Sequence, residues 1–150
     1  MYKIDEIMEM LDCNNDIETQ KRGIELAKGV KTLNVFVLPK HEGCNKNVWE
    51  NCAKIIADRT DEEVEDCLGN DFLWWLKDLS IPGASIILER LKRCSNVSMI
   101  CFDIECRLKI AKPTNDKMWL ANLAKLLDNE KIKENLSAET LEVLEQYYQN

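Results

Sequence analysis

The chain has 150 residues, 45% hydrophobic and 31% charged, with a formal net charge of −7. That balance excludes a disordered chain and supports one domain, residues 1–150, with a sizeable core. The apolar runs fall well short of the ~18 residues of a membrane span, and MYKIDEIMEML has no signal-peptide core, so a cytoplasmic protein with no membrane partner is expected.

Five glycines and three prolines predict helices joined by short loops. Ile4, Ile7, Met8 and Leu11 form an apolar stripe at helical spacing. Asn14-Asn15 breaks it, and Asn15 or Asp16 caps a second helix that buries Ile17, Ile24, Leu26, Ala27 and Val30, with Gly23 as a weak point or a close-packing site. The run from Leu33 to Leu38 is the one β-leaning stretch. A single strand has nothing to pair with, so a short helix or extended connector is expected there. Residues 39–45 read as a loop.

Val48, Trp49, Cys52, Ala53, Ile55 and Ile56 mark a strong helix that stops near Asp58. Thr60 to Glu63 spells a capping box, in which hydroxyl and carboxylate each accept from the other residue's amide. The short helix behind it carries Val64 and Leu68 and closes at Gly69. Phe72, Leu73, Trp75, Leu76 and Leu79 share a helical face. Trp74 points about 100° away from Trp75, which predicts that the two rings serve different contacts, Trp75 in the core and Trp74 at a surface or helix contact. Ser80 or Ile81 then caps, and Pro82 opens a helix bearing Ala84, Ile87, Leu88 and Leu91. So short a turn predicts an antiparallel helix pair. Asp78 is expected to accept from the first amides of that helix.

Val97, Ile100, Cys101, Ile104, Leu108 and Ile110–Ala111 form a further helix ending at Lys112-Pro113. Thr114 or Asn115 caps residues 118–127. Residues 129–135 are a polar linker or short helix, and Ser137 caps a last helix with Leu141, Leu144, Tyr147 and Tyr148. The fragments A53-K-I-I56 and A124-K-L-L127 echo one another irregularly. The fold class that follows is all-α, an α-solenoid of about four irregular antiparallel helix pairs.

The seven cysteines form no C-x-x-C. His41 and Cys44 could supply two zinc ligands or a thiol beside an imidazole, but neither a four-ligand set nor a positioned third group accompanies them. The other thiols read as small buried hydrophobes. Nucleotide loops, G-x-S-x-G and H-E-x-x-H are absent. No catalytic residue, metal set or cofactor is assigned, and a non-enzymatic role is expected.

Charge is uneven. Asp58, Asp61, Glu62, Glu63, Glu65 and Asp66 crowd one segment, while Arg90, Lys92, Arg93, Arg107, Lys109 and Lys112 make residues 80–112 net positive. Negative net charge disfavours nucleic acid and favours a basic protein partner. Asp58, Asp61, Glu62, Glu65, Asp66 and Trp74 are therefore the candidate partner-binding residues. The alternative is a helical-repeat nucleic-acid-binding protein or DNA glycosylase-like enzyme that uses residues 90–112, which requires the six cations to line one concave face.

Trp75, Leu76, Asp78, Leu79 and Pro82 carry a family likeness. The segment resembles small bacterial HEAT-like proteins of unknown function whose pattern runs Trp-Leu-Gln-Asp-aliphatic-Asn-Trp-Pro. Lys77, Ser80 and Ile81 depart from it. The resemblance implies a HEAT-like stack of helix pairs and a likeness to the immunity proteins of bacterial polymorphic toxin systems. The most concrete expectation is a protein that binds and neutralises a basic toxin domain through an acidic face.

Overall fold

In the computed structural model, described for residues 2–37, 45–68 and 72–148, the protein is all-α. The described residues form ten α-helices and three 3-10 segments and contain no strand. The helices are α1 Ile4–Met10, α2 Ile17–Ala27, α3 Asn34–Val37, α4 Trp49–Ala57, α5 Asp61–Cys67, α6 Ala84–Lys92, α7 Ser98–Ala111, α8 Lys117–Ala124, α9 Glu130–Asn135 and α10 Ala138–Glu145. Helices pack largely in sequence order: α1 on α2, α2 and α3 on α4, α4 on α6, then α7 on α8 and α9, with α10 on α8. One hydrophobic cluster runs through them from Ile7 to Leu144. No helix among the described residues is long and apolar enough to cross a membrane.

Local chemistry starts most of these helices. Asp16, Ser137 and Asn129 accept from amides in the first turns of α2, α10 and α9. Thr60 and Glu63 form the expected capping box at α5, satisfying two of the amides that a helix start leaves unpaired. The β-leaning run proves helical in α3, where Phe36 and Val37 are buried. Gly23 lets α2 lie against α1, since a Cβ there would fall 2.8 Å from that of Met10.

Several expectations are corrected. Residues Phe72–Leu76 form a 3-10 helix, not part of an α-helix. Side chains three apart eclipse in that geometry, so Phe72 with Trp75 and Leu73 with Leu76 form two inward rows while Lys77 stays exposed. Pro82 does not open α6. The Asp78 carboxylate accepts from the Ser80 amide at 2.9 Å, and its carbonyl accepts from Ile81. The chain therefore turns before the helix, and Asp78 caps this turn instead of α6.

Gly83 is the true N-cap of α6, at φ 89°. A Cβ on Gly83 would lie 2.6 Å from that of Ala53 and 3.0 Å from the Trp49 carbonyl oxygen. A left-handed residue without a side chain is what lets α6 reach α4.

The start of α8 falls at Asp116, which accepts from the Trp119 amide at 3.0 Å. Asn115 takes a positive φ of 57° in the preceding turn. Three residues expected on helix faces are exposed, Ile17 at 67%, Ile110 at 46% and Tyr148 at 37%, the last beyond the end of α10. Gly69, His41 and Cys44 lie outside the described residues.

Candidate functional site

The acidic segment divides between scaffold and surface. Thr60 starts α5 so that Asp61 faces the corner joining α6 to α7. There Asp61 Oδ1 accepts from Arg90 Nη2 at 2.6 Å, and Oδ2 accepts from the Ser95 amide at 2.8 Å. The Ser95 amide and then the Arg90 guanidinium hold the Asp61 carboxyl below its ordinary pKa. One turn on, Glu65 accepts from the Asn96 side chain. Glu63 pairs with Arg59 at 2.8 Å, and that guanidinium depresses the Glu63 pKa. Arg59 also donates to the carbonyls of Ala27 and Val30 at 2.6 and 2.9 Å, tying the start of α5 to the end of α2.

Asp58, Glu62 and Asp66 are different. All three are exposed and carry no ion pair among the described residues. Asp58 is the C-cap of α4, and Glu62 and Asp66 follow at four-residue steps on α5, so the two helical carboxylates share one face. Of the six candidate partner-binding residues, Asp61 and Glu65 are thus half-buried and engaged by the corner after α6, and Asp58, Glu62 and Asp66 form an outward ridge.

Trp74 is half-buried and belongs to a three-ring cluster. Its ring meets Trp49 edge-on at 6.0 Å, and Trp75 meets the same Trp49 at 6.3 Å. The adjacent rings therefore converge on one partner, Trp49 at the start of α4, contrary to the expectation from α-helical spacing. Trp75 is 1% exposed, and its indole N–H has no acceptor among the described residues. Trp119, by contrast, donates to the Leu73 carbonyl at 3.2 Å.

The basic segment is also divided. Arg90, 6% exposed, donates to Asp61, to the Arg59 carbonyl and to Cys94 Sγ. Lys92 pairs with Asp128 at 3.1 Å, and Arg107 lies 3.7 Å from Asp103. That leaves Arg93, Lys109 and Lys112 exposed. Burial pushes the Cys52 thiol up to about 12, and those of Cys67, Cys94 and Cys101 to about 11, so at neutral pH these four are thiols and not nucleophilic thiolates. Among the described residues no group of three or more His, Cys, Asp or Glu side chains converges as a metal requires.

No family model matches the chain, and neither a curated protein nor a solved structure matches it.

Sequence reasoning missed the buried amides. Asn51 donates to the Leu11 carbonyl at 2.7 Å, Asn122 to Leu76 at 2.8 Å, and Asn129 to Leu91 and Cys94 at 3.1 and 2.9 Å. Each ties a helix to a chain segment some forty residues away. Their signal was a lone polar residue amid apolar neighbours, as in NCA at 51–53 and LANLA at 120–124. The exposed apolar residues of α7 were missed as well.

Proposed function

We propose that this chain is a non-enzymatic protein-binding module that meets a basic partner through the ridge of Asp58, Glu62 and Asp66. The observation that carries this reading is the contrast within one segment: Asp61, Glu63 and Glu65 are engaged by Arg90, Arg59 and Asn96, while the ridge carboxylates are exposed and make no ion pair among the described residues. The buried polar side chains Asn51, Arg90, Asn122 and Asn129 hold backbone groups of neighbouring elements together, which suits a scaffold. Exposed carboxylates of one sign speed encounter with a cationic surface more than they tighten the final complex. Trp74 packs on Trp49 at the start of α4, the opposite end of that helix from Asp58, so it takes no part in the ridge in this reading.

The narrower form of the proposal is an immunity-type bacterial protein on a HEAT-like stack of helix pairs, neutralising a basic toxin domain. It rests on the resemblance of the segment around Trp75–Pro82 and on the acidic ridge. The nucleic-acid alternative has less support, because Arg90, Lys92 and Arg107 face Asp61, Asp128 and Asp103, leaving three exposed cations, Arg93, Lys109 and Lys112, in the segment that reading relies on.

The test is capture from a lysate of the source cell by tagged protein, washed at low and high salt, beside an Asp58→Lys/Glu62→Lys/Asp66→Lys variant of unchanged helical content. One dominant basic protein, held by the wild type, released by salt and lost by the variant, is expected. A partner held equally by both forms, or nucleic acid as the main species, would overturn the ridge.

A further inference from the structure

Helix α10 is lightly packed. Of its eight residues only Leu144 is buried, while Leu141, Val143 and the following Tyr147 lie partly exposed against the core. It rests chiefly on α8, whose Trp119, Leu120, Leu123 and Ala124 are buried. Two grooves open beside it. One of about 550 Å³ separates Thr140 and Val143 from Leu108 and Pro113. The other, of about 370 Å³, separates Glu145 and Tyr148 from Leu127, Glu130 and Lys133. The buried amides of Asn51, Asn122 and Asn129 bind carbonyls of Leu11, Leu76, Leu91 and Cys94, and among the described residues none of these amides reaches α10.

A polar clasp at each end fixes α10 instead. At its start Glu105 of α7 accepts from the Ser137 amide and from the Thr140 hydroxyl, both at 3.3 Å. Just past its end the Tyr148 phenol donates to Asp128. Both carboxylates belong to the body of the molecule, and Asp128 is itself held by Lys92 at 3.1 Å. All three donors belong to the α10 segment. Ser137 and Tyr148 are exposed, so water takes over these bonds at small cost when a clasp opens. An eight-residue helix is not stable alone in water. A detached α10 therefore loses its internal hydrogen bonds together with its clasps, and local opening draws on segments with so few buried contacts.

We propose that α10 is a strap, closed by Glu105 at its start and Asp128 at its end, that opens as one unit and uncovers apolar surface of α8 while the rest of the fold stays intact. The strap uses none of Asp58, Glu62 and Asp66, so it stands independently of the acidic ridge.

Hydrogen exchange of the full chain at pH 7 without denaturant, followed residue by residue, tests this. The amides from Leu141 to Tyr147 should share one opening equilibrium and exchange at least about a hundredfold faster than the buried amides of α7 and α8. Glu105→Ala and, separately, Tyr148→Phe should each speed all of them by about three- to tenfold, with α2, α4 and α6 unchanged. Simple fraying has a different signature: rates that fall from Tyr147 back to Leu141, and last amides that Glu105→Ala leaves untouched. That gradient would overturn the proposal, as would α10 amides that exchange only with the whole fold. Leu144→Asp gives a second readout. It should melt α10, keep a cooperative unfolding transition in the remainder, and raise the fluorescence of added anilinonaphthalene sulfonate. Loss of the entire fold in that variant would show that α10 is no strap.

Discussion

Arg90 of α6 reaches Asp61 of α5 at 2.6 Å while its second guanidinium contact, to the Arg59 carbonyl, holds the loop between α4 and α5. One side chain thus joins the end of α4, the start of α5 and the corner after α6. With the cation 6% exposed, losing its partner leaves a buried charge unpaired. Asp61→Ala is expected to destabilise the fold by about 3 kcal/mol, measured by urea denaturation at pH 7. In a double-mutant cycle with Arg90→Met, the second substitution should cost less on the Asp61→Ala background than alone.

The same pair sets an acid limit. The Asp61 carboxyl is depressed in the folded state, so its contribution is complete above the ordinary carboxylate range and is lost as pH falls through its folded value. The difference in stability between wild type and Asp61→Asn should hold steady from about pH 7 to 5 and shrink below about pH 4. A difference that is flat down to pH 2 would contradict this.

Gly83→Ala tests the α4–α6 junction. The positive φ costs an L-residue about 1–2 kcal/mol, and crowding against Ala53 adds about 1–3 kcal/mol. Ala53→Gly should recover only the crowding part. Pro82→Ala, exposed and outside the helix, should change stability by under about 1 kcal/mol.

Two buried tryptophans separate packing from hydrogen bonding. Trp75→Ala should cost about 3–5 kcal/mol, as for any large core ring. Trp75→Phe should be milder than Trp119→Phe by about 1 kcal/mol, because only Trp119 loses a made hydrogen bond. Equal losses in chemical denaturation would count against the described indole environments.

Thiol labelling of the native protein should be fast at exposed Cys13 and slower by about a hundredfold or more at Cys52, Cys67, Cys94 and Cys101, whose raised pKa values deplete the thiolate. Urea should make all four react. Peptide mapping after a short iodoacetamide pulse distinguishes these groups.

Helix identity was largely legible in the sequence because apolar spacing and caps are local. The stripe over Val48–Ile56, the Thr60–Glu63 box and the Ser137 cap all read correctly for that reason. What failed depended on distant atoms. The role of Gly83 follows from how closely α6 approaches Ala53 and Trp49, and apolar spacing alone does not separate a 3-10 turn such as Phe72–Leu76 from an α-helix. The division of the acidic cluster depends on Arg90, some thirty residues away, and on the Ser95 amide, and no local pattern announces either. Ile110 looked like core by period alone, since α7 has apolar residues on both sides and period cannot say which side the neighbours occupy.

The most direct test of the scaffold-and-surface division is a paired denaturation at pH 7. Asp61→Asn/Glu65→Gln removes the inward carboxylates, and Asp58→Asn/Glu62→Gln/Asp66→Asn removes the outward ones. The inward variant should lose about 2–3 kcal/mol, and the outward one should stay within about 0.5 kcal/mol of wild type. Equal losses, or a larger loss in the outward variant, would contradict the division and with it the case for a binding ridge.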